Sequence, residues 1–282
     1  MKAFPIPVVT IGPGSQPADD QLDFVRMPEM LATFHIPPRP LDVSPVALAE
    51  ARAFLAELHA TATSHEFAGS ALLTRDVLSL SPAAIALVNE TFGEGEVGAI
   101  IDEPSVRLQE TGFPGFWRVR GFDENGVLAT DVVEVAPVPA VVREAALLGS
   151  RCRMPKRAAV PGLMNAPALL TELVAASGRG EGAPTHVVNL TLLPVSPEDI
   201  TWLVGALEIG PVTLLSRGYG NCRITSTRLR DTWWVQYFNS MNHLILNTIE
   251  VTSVPEVSLA APEDYADSLQ RLGEWLQTLG ES

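Results

Sequence analysis

Cysteine is scarce. Cys152 and Cys222 are the only two in 282 residues, and no CxxC pair occurs. That indicates neither a zinc module nor a disulfide-stapled scaffold, which need closely spaced pairs or frameworks of four or more. Positive charge is also scarce, with 19 Lys and Arg against 33 Asp and Glu and a net charge of −14. A surface of that sign repels phosphate, so nucleic acid is not an expected partner, and a basic peptide is the better electrostatic match. Long apolar runs are missing: none reaches the roughly 18 residues a membrane helix needs. The stretch Met1–Val9, broken by Pro5 and Pro7, lacks the apolar core of a signal peptide. The expectation is a cytoplasmic chain without membrane insertion. Hydrophobic residues make up 46%, against 18% charged, which is ample for a packed core.

Proline crowds residues 1–45, where it breaks helix and sheet alike, so this stretch reads as an extended arm that wraps on a domain, with one short strand at Val8–Ile11. Ser44-Pro45 opens a helix in which Leu48, Ala51, Phe54, Leu55 and Leu58 recur at helical spacing. Ala71–Leu80 alternates as a strand, and Ser81-Pro82 caps a second helix, Ala83–Phe92. Val97–Ile101, Ser105–Gln109, Phe116–Phe122 and Val127–Ala136 read as strands, with Asn125-Gly126 as a hairpin signal.

The same order then recurs. Ser81-Pro82 matches Ser196-Pro197 at an offset of 115, as do Leu55/Leu170, Glu57/Glu172, Leu58/Leu173, Gly95/Gly210 and Val97/Val212. One inserted residue moves the offset to 116, where Arg107/Arg223, Trp117/Trp233, Phe122/Phe238, Glu134/Glu250 and Pro139/Pro255 match. This is a tandem duplication with a period the size of a small domain. The expected fold is α+β: two copies of a helix–strand–helix–three-strand unit, each a mainly antiparallel sheet with helices packed on it. The expected organisation is an arm at 1–45, a first repeat at 46–149, a linker at 150–165, and a second repeat with a C-terminal helix at 166–282. That last helix carries Tyr265, Leu269, Leu272, Trp275 and Leu276 on one apolar face, with Trp275 read as core. Whether the two units share one sheet is not a sequence property.

Positions kept in both copies are most simply scaffold. Trp117/Trp233 and Phe122/Phe238 are read as filling equivalent cores, and Glu134/Glu250 as a structural acceptor. The copies differ at one sheet end. With a turn at Arg230–Thr232, Cys222 falls opposite Asn239 or Ser240. Arg217, Gly218, Tyr219, Gly220, Asn221 and Cys222 then neighbour Asn239, Ser240, Met241, Asn242 and His243. In place of plain turn residues around Asp123–Gly126, copy two holds a polar cluster. Several readings stay open. Cys222 could be a thiolate nucleophile with His243 as base and Asn239 or Asn242 orienting it. Cys222 and His243 are too few ligands for a metal. Cys222 could instead be a buried small hydrophobe, or the cluster a protein-binding surface. No catalytic residue, metal or cofactor is assigned. Gly93–Gly98 is no dinucleotide fingerprint, because it follows a helix and precedes a strand.

Three stretches carry a resemblance. They are Arg217-Gly-Tyr-Gly-Asn-Cys-Arg-Ile, Val235-Gln-Tyr-Phe-Asn-Ser-Met with Leu244–Val251, and Val254-Pro-Glu-Val followed by Ala260–Asp264. With Gly12–Pro17 and Met27–Met30 in the arm, they resemble the HupH/HyaF/HoxQ family of [NiFe] hydrogenase expression and maturation proteins. Phe34 departs from the tyrosine expected there. The resemblance implies an accessory protein, not an enzyme, that acts on the small, iron–sulfur-bearing subunit precursor before export. It also implies a thioredoxin-like accessory protein as a second partner. It brings no established catalytic residue. Two alternatives in the same pathway are a thiol-dependent enzyme or redox protein using Cys222, and an iron–sulfur or metal carrier.

Overall fold

The structure, a computed structural model, describes residues 44–68, 73–102, 105–180, 182–218 and 220–278. Residues 1–43 of the expected arm, with its short strand, lie outside the described residues, as do Tyr219 and positions 71 and 72 of the first expected strand.

Two copies of one element order follow each other. Helix α1 (Pro45–Thr63), strand β1 (Leu73–Asp76) and helix α2 (Pro82–Phe92) lead into β2 (Val97–Ile101), β3 (Val106–Glu110), β4 (Phe116–Phe122), β5 (Leu128–Val135) and α3 (Ala140–Leu147). Helix α4 (Ala166–Ser177), β6 (His186–Asn189) and α5 (Pro197–Leu207) lead into β7 (Ile209–Ser216), β8 (Asn221–Thr227), β9 (Thr232–Phe238) and β10 (Leu244–Val251). A 3-10 turn at Glu256–Ser258 and helix α6 (Pro262–Thr278) complete the described elements. After each second helix there are four strands, those read one by one in copy one, where the unit pattern counts three. The caps follow the sequence. The Ser81 hydroxyl accepts from Ala84 N–H, and Ser196 forms a reciprocal capping box with Asp199.

The ten strands among the described residues form one antiparallel sheet, ordered β1-β5-β4-β3-β2-β7-β8-β9-β10-β6. The two copies join edge to edge through β2 and β7. In that seam Ala99 pairs with Leu214, Val97 with Ser216 and Ile101 with Val212. Ala99 and Leu214 are equivalent at the offset of 115, so a pseudo-twofold axis passes between them and the seam is self-complementary, like a C2 interface inside one chain. Among the described residues, pairing at the seam leaves the short strands β1 and β6 as the sheet edges.

Strand alternation sorts the side chains onto two faces. On the first, α1, α2 and α6 pack over Leu73, Phe116, Val133 and Val135, while α4 and α5 pack over Val188, Trp234, Ile249 and Val251. On the second, Ala99, Leu108, Trp117, Leu214, Ile224, Trp233 and Val235 form a central core covered by Val142 and Ala145 of α3 and by Val254. Helix α6 follows copy two in the chain but packs on copy one: Tyr265 Oη donates to Ala62 O at 2.9 Å, and the Tyr265 ring stacks on Phe67. Leu272 and Leu276 are buried as its spacing requires, but Trp275 is 39% exposed, at the margin of the apolar stripe. The linker is not a free tether. Arg151 bridges to Leu229, Arg157 donates to Gly205 O at 3.0 Å, and Trp202 Nε1 donates to Ala158 O at 2.8 Å.

The tryptophans kept in both copies do equivalent work. Trp117 and Trp233 are fully buried, and each indole N–H reaches a carbonyl just past the following strand, Ala136 O at 3.0 Å and Thr252 O at 3.1 Å. Glu134 accepts from Ala140 N–H at 2.8 Å, and burial pushes both it and Glu250 up from the usual carboxyl range. The Phe122/Phe238 pair behaves differently. Both rings are only half-buried and lie beneath the guanidinium groups of Arg107 and Arg223, at 5.3 and 5.6 Å from the ring centroids.

Candidate functional site

The register places the two expected turns side by side. Asn221 pairs with Phe238, and Phe238 pairs with Leu244, so the β7–β8 and β9–β10 connections share one end of the sheet. Cys222 pairs with Tyr237, not with Asn239 or Ser240. The connection between β8 and β9 runs through Arg228–Asp231, earlier than the assumed turn. Leu229 is buried there and Asp231 takes a positive φ of 51°. The register therefore moves by two to three residues.

Arg217, Gly218, Gly220 and Asn221 are exposed, as are Ser240, Met241, Asn242 and His243, while Asn239 is half-buried. Cys222 is 2% exposed and belongs to the central core. Burial pushes its thiol up to about 12, only partly offset by a hydrogen bond with Tyr237, and nearby Glu250 raises it further. A thiol held in that state is no nucleophile at neutral pH. His243 sits apart from it, in the exposed turn. The polar cluster also proves to be an ordinary turn. Asn239 Oδ1 accepts from Met241 N–H and His243 N–H, each at 2.9 Å. Asp123 Oδ1 accepts from the equivalent Asn125 and Val127 N–H groups at 2.9 and 2.8 Å. An Asn and an Asp do the same local work, so the difference in sequence is not a difference in geometry. Among the described residues, no three His, Cys, Asp or Glu side chains gather to hold a metal.

This environment makes a labelling prediction. In the native protein a thiol reagent such as DTNB is expected to titrate one cysteine rapidly, the exposed Cys152, and to reach Cys222 only in denaturant. Rapid reaction of both without denaturant would contradict the burial of Cys222.

The same sheet end holds a cavity of about 600 Å³ that the sequence reading did not find. Its walls include Glu94, Glu96, Glu110, Arg217, Gly218 and Asp264. Arg217 N–H donates to Glu96 O at 3.1 Å, which ties the β7–β8 turn to the start of β2. Gly218 sits against the carboxylate end of the exposed Glu96 side chain, which would have to swing aside for any larger residue. Arg271 of α6 donates to Gly112 O at 3.1 Å and lies over the Phe113 ring at 5.0 Å, closing one side. Glu94, Glu96 and Asp264 are exposed at the rim, whereas Glu110 is 5% exposed. Burial pushes Glu110 up to about 7, the Glu96 charge adds to this, and the N–H groups of Gly115, Val97 and Glu96 counter it. One signal for this residue was available in the chain itself. At the offset of 116, Glu110 corresponds to Ser226, whose hydroxyl accepts from Val212 N–H at 3.0 Å in the equivalent position. Copy one has put a carboxyl where copy two needs only a hydroxyl.

Because the folded-state value of Glu110 is raised, the native state holds a proton that the unfolded chain releases above about 4.5. The contribution is therefore fully present below about pH 4.5 and is lost as pH rises through about 7. Glu110→Gln is expected to flatten the fall in stability between pH 5 and 8 by an amount of order 1–3 kcal/mol. Urea melts of both proteins at the two pH values would check it, and parallel slopes would refute it.

Comparison with known proteins places this geometry in a family. The model of the HupH hydrogenase expression protein C-terminal conserved region matches residues 48–147 and 163–279, the two copies in turn. The chain is 43% identical over 284 residues to the hydrogenase expression/formation protein HoxQ of Cupriavidus necator, covering 99% of each. It is 41% identical over 283 residues to the hydrogenase expression/formation protein HupH of Rhodobacter capsulatus, covering 98% of each. It is 32% identical to the hydrogenase-1 operon protein HyaF of Escherichia coli, covering 96% of each. With end-to-end relatives at these identities and a family match over both copies, the chain belongs to the HupH/HyaF/HoxQ family of hydrogenase expression proteins.

Proposed function

We propose that this chain is a cytoplasmic accessory protein in the maturation of a [NiFe] hydrogenase, and that it holds the small, iron–sulfur-bearing subunit precursor before export, beside a thioredoxin-like accessory protein. Family membership over the whole chain carries the maturation reading. A binding role is favoured over thiol chemistry by the state of Cys222, which is buried and protonated. The sheet end supplies a surface of the right sign for a basic segment of the precursor. Glu94, Glu96 and Asp264 rim a cavity next to Arg217 and Gly218, in a chain of net charge −14. Exposed Asn221, Met241 and His243 extend that surface. No described helix is long and apolar enough to cross a membrane, which suits a protein that hands over its client before export.

The test is co-purification from cells that express the hydrogenase. The small-subunit precursor is expected to be recovered with the tagged chain, and Glu94→Lys with Glu96→Lys is expected to reduce that recovery several-fold. Recovery of no small subunit, together with normal hydrogenase maturation in a deletion strain, would overturn the reading. Retained function of Cys222→Ser separates binding from a thiol mechanism.

A further inference from the structure

The cavity at the sheet end exists because the two halves are closed differently. Helix α3 follows copy one and packs on β7. Pro139 and Pro255 match at the offset of 116, so the counterpart of α3 after copy two begins at Glu256. Pro262 falls there at the position of Ala146, and a single 3-10 turn forms, Glu256–Ser258. A helix of eight residues is ~12 Å long and a 3-10 turn of three is ~6 Å. The shorter element covers less of β2 than α3 covers of β7. The cavity is the space this leaves between Val97 and Gly98 of β2 and Val257 and Leu259.

The halves also differ in charge here. At the offset of 116 the counterpart of Leu259 is Arg143 of α3, whose Nε is buried. The counterparts of the cavity's carboxyls carry no charge. They are Ile209 for Glu94 and Pro211 for Glu96 at the offset of 115, and Ser226 for Glu110 and Leu148 for Asp264 at the offset of 116. One half buries a basic side chain of its own at this place. The other half has an apolar leucine there and carboxyls in the walls around it.

Glu110, 5% exposed, is the most buried of these carboxyls, and every element around it sets the field it feels. The α2–β2 connection brings Glu94 and Glu96, the β7–β8 turn brings Arg217, and α6 brings Asp264 and Arg271. Arg271 is itself paired with Asp267 at 2.8 Å. Across β4, Trp117 stands between Glu110 and Glu134 of β5. The β3–β4 turn and the 252–260 segment line the cavity with uncharged residues. Burial and the Glu96 charge oppose ionisation of Glu110, while three backbone N–H groups favour it. An opposite charge within about 4–6 Å is enough to bring such a carboxyl back to its ionised form at neutral pH.

We infer that the cavity takes one basic side chain of the partner, as its counterpart in the other half buries Arg143, and that the incoming cation displaces the proton of Glu110, so that binding is coupled to proton release. The O–H bond of Glu110 breaks, the proton passes to solvent, and the carboxylate pairs with the incoming ammonium or guanidinium. This rests on the proposed use of the sheet end for a basic segment and adds its regulation. The ionised carboxyl is the form that binds, so the segment is held fully above about pH 7 and is released as pH falls below it. A neutral side chain of the same shape brings no charge to drive off the proton.

Isothermal titration calorimetry of the full chain tests this with an acetylated, amidated Gly-Ser-Arg-Ser-Gly peptide. The same peptide with citrulline, the neutral isostere of arginine, is the control. At pH 7 the arginine peptide is expected to release about half a proton per molecule bound, because Glu110 is near half-protonated there. Titrations in two buffers of different ionisation enthalpy read that count. The affinity is expected to be about fivefold to tenfold higher at pH 8 than at pH 6. The citrulline peptide is expected to bind much more weakly at pH 8. Glu110→Gln is expected to hold the arginine peptide at both pH values with the wild-type affinity of pH 6, and to release no proton. The proton count is read on the wild-type chain, so the test holds even where the variant fails to fold. Binding without proton release, or a pH dependence that Glu110→Gln retains, overturns the coupling and leaves the sheet end as a binding surface. Equal binding of the citrulline peptide overturns the cavity as the site of a basic side chain. So does a lack of saturable binding into the millimolar range, as it would be if the chain's own residues 1–43 held the cavity. None of these readouts involves hydrogenase, so the maturation reading is decided separately, by co-purification.

Discussion

Asp131→Ala is expected to destabilise the protein by about 3–5 kcal/mol, because it strands a buried cation. Asp131 and Arg118 are 6% and 7% exposed at their side chains and form a two-pronged pair across β4 and β5, with Arg118 Nη2 donating to Asp131 Oδ2 at 2.7 Å. Asn89 of α2 takes a third hydrogen bond from the same guanidinium. Removing the carboxylate leaves the guanidinium without its counter-charge beneath a helix, where water cannot replace it. The duplicate supplies its own control. At the equivalent positions copy two has Trp234 and Asn247, with Trp234 Nε1 donating to Asn247 Oδ1 at 2.6 Å. Arg118→Trp combined with Asp131→Asn and Asn89→Val reproduces that neutral arrangement in copy one, and this triple variant is expected to lose less stability than Asp131→Ala alone. Urea denaturation gives both values. A loss below about 1 kcal/mol for Asp131→Ala would mean that the pair is solvated like a surface salt bridge.

Two adjacent substitutions at the seam are expected to differ sharply. Leu214 is fully buried in the central core opposite Ala99, at the pseudo-twofold axis. Leu214→Asp removes a large buried side chain and places a carboxyl in an apolar site, with an expected loss of at least about 4 kcal/mol and largely insoluble expression. Leu215, one residue on, points to the opposite face and is half-buried. Leu215→Asp is expected to cost no more than about 1 kcal/mol. The contrast rests on the two-residue period of a strand. Equal losses at both sites would mean that Leu215 is packed as tightly as Leu214.

The elements themselves were largely legible in the chain. Ser81-Pro82 and Ser196-Pro197 announced helices because a hydroxyl N-cap and a proline in the first turn are local chemistry, satisfied within four residues. The candidate site was legible only in outline. The Asn239–His243 turn was found, but its polar character misled, because an Asn at the first position folds the same hairpin as Asp123 does. The cavity with Glu110 was missed because its walls come from α2–β2, β3–β4, β7–β8 and α6, which no spacing in the sequence links.

The sequence by itself determined the duplication, the antiparallel α+β units and the family, since each depends on residue identity and short-range periodicity. Only the tertiary structure decided that the two units share one ten-stranded sheet. A seam between edge strands is made of backbone hydrogen bonds, which are nearly blind to side-chain identity, so no motif records it. The tertiary structure also decided that Phe122 and Phe238 lie at the surface beneath arginines and that Cys222 lies in the core. Strand alternation says which residues share a face. Which face is covered depends on where α3, the 252–260 segment and α6 come to rest. Those positions are set by long-range packing after the strands have formed.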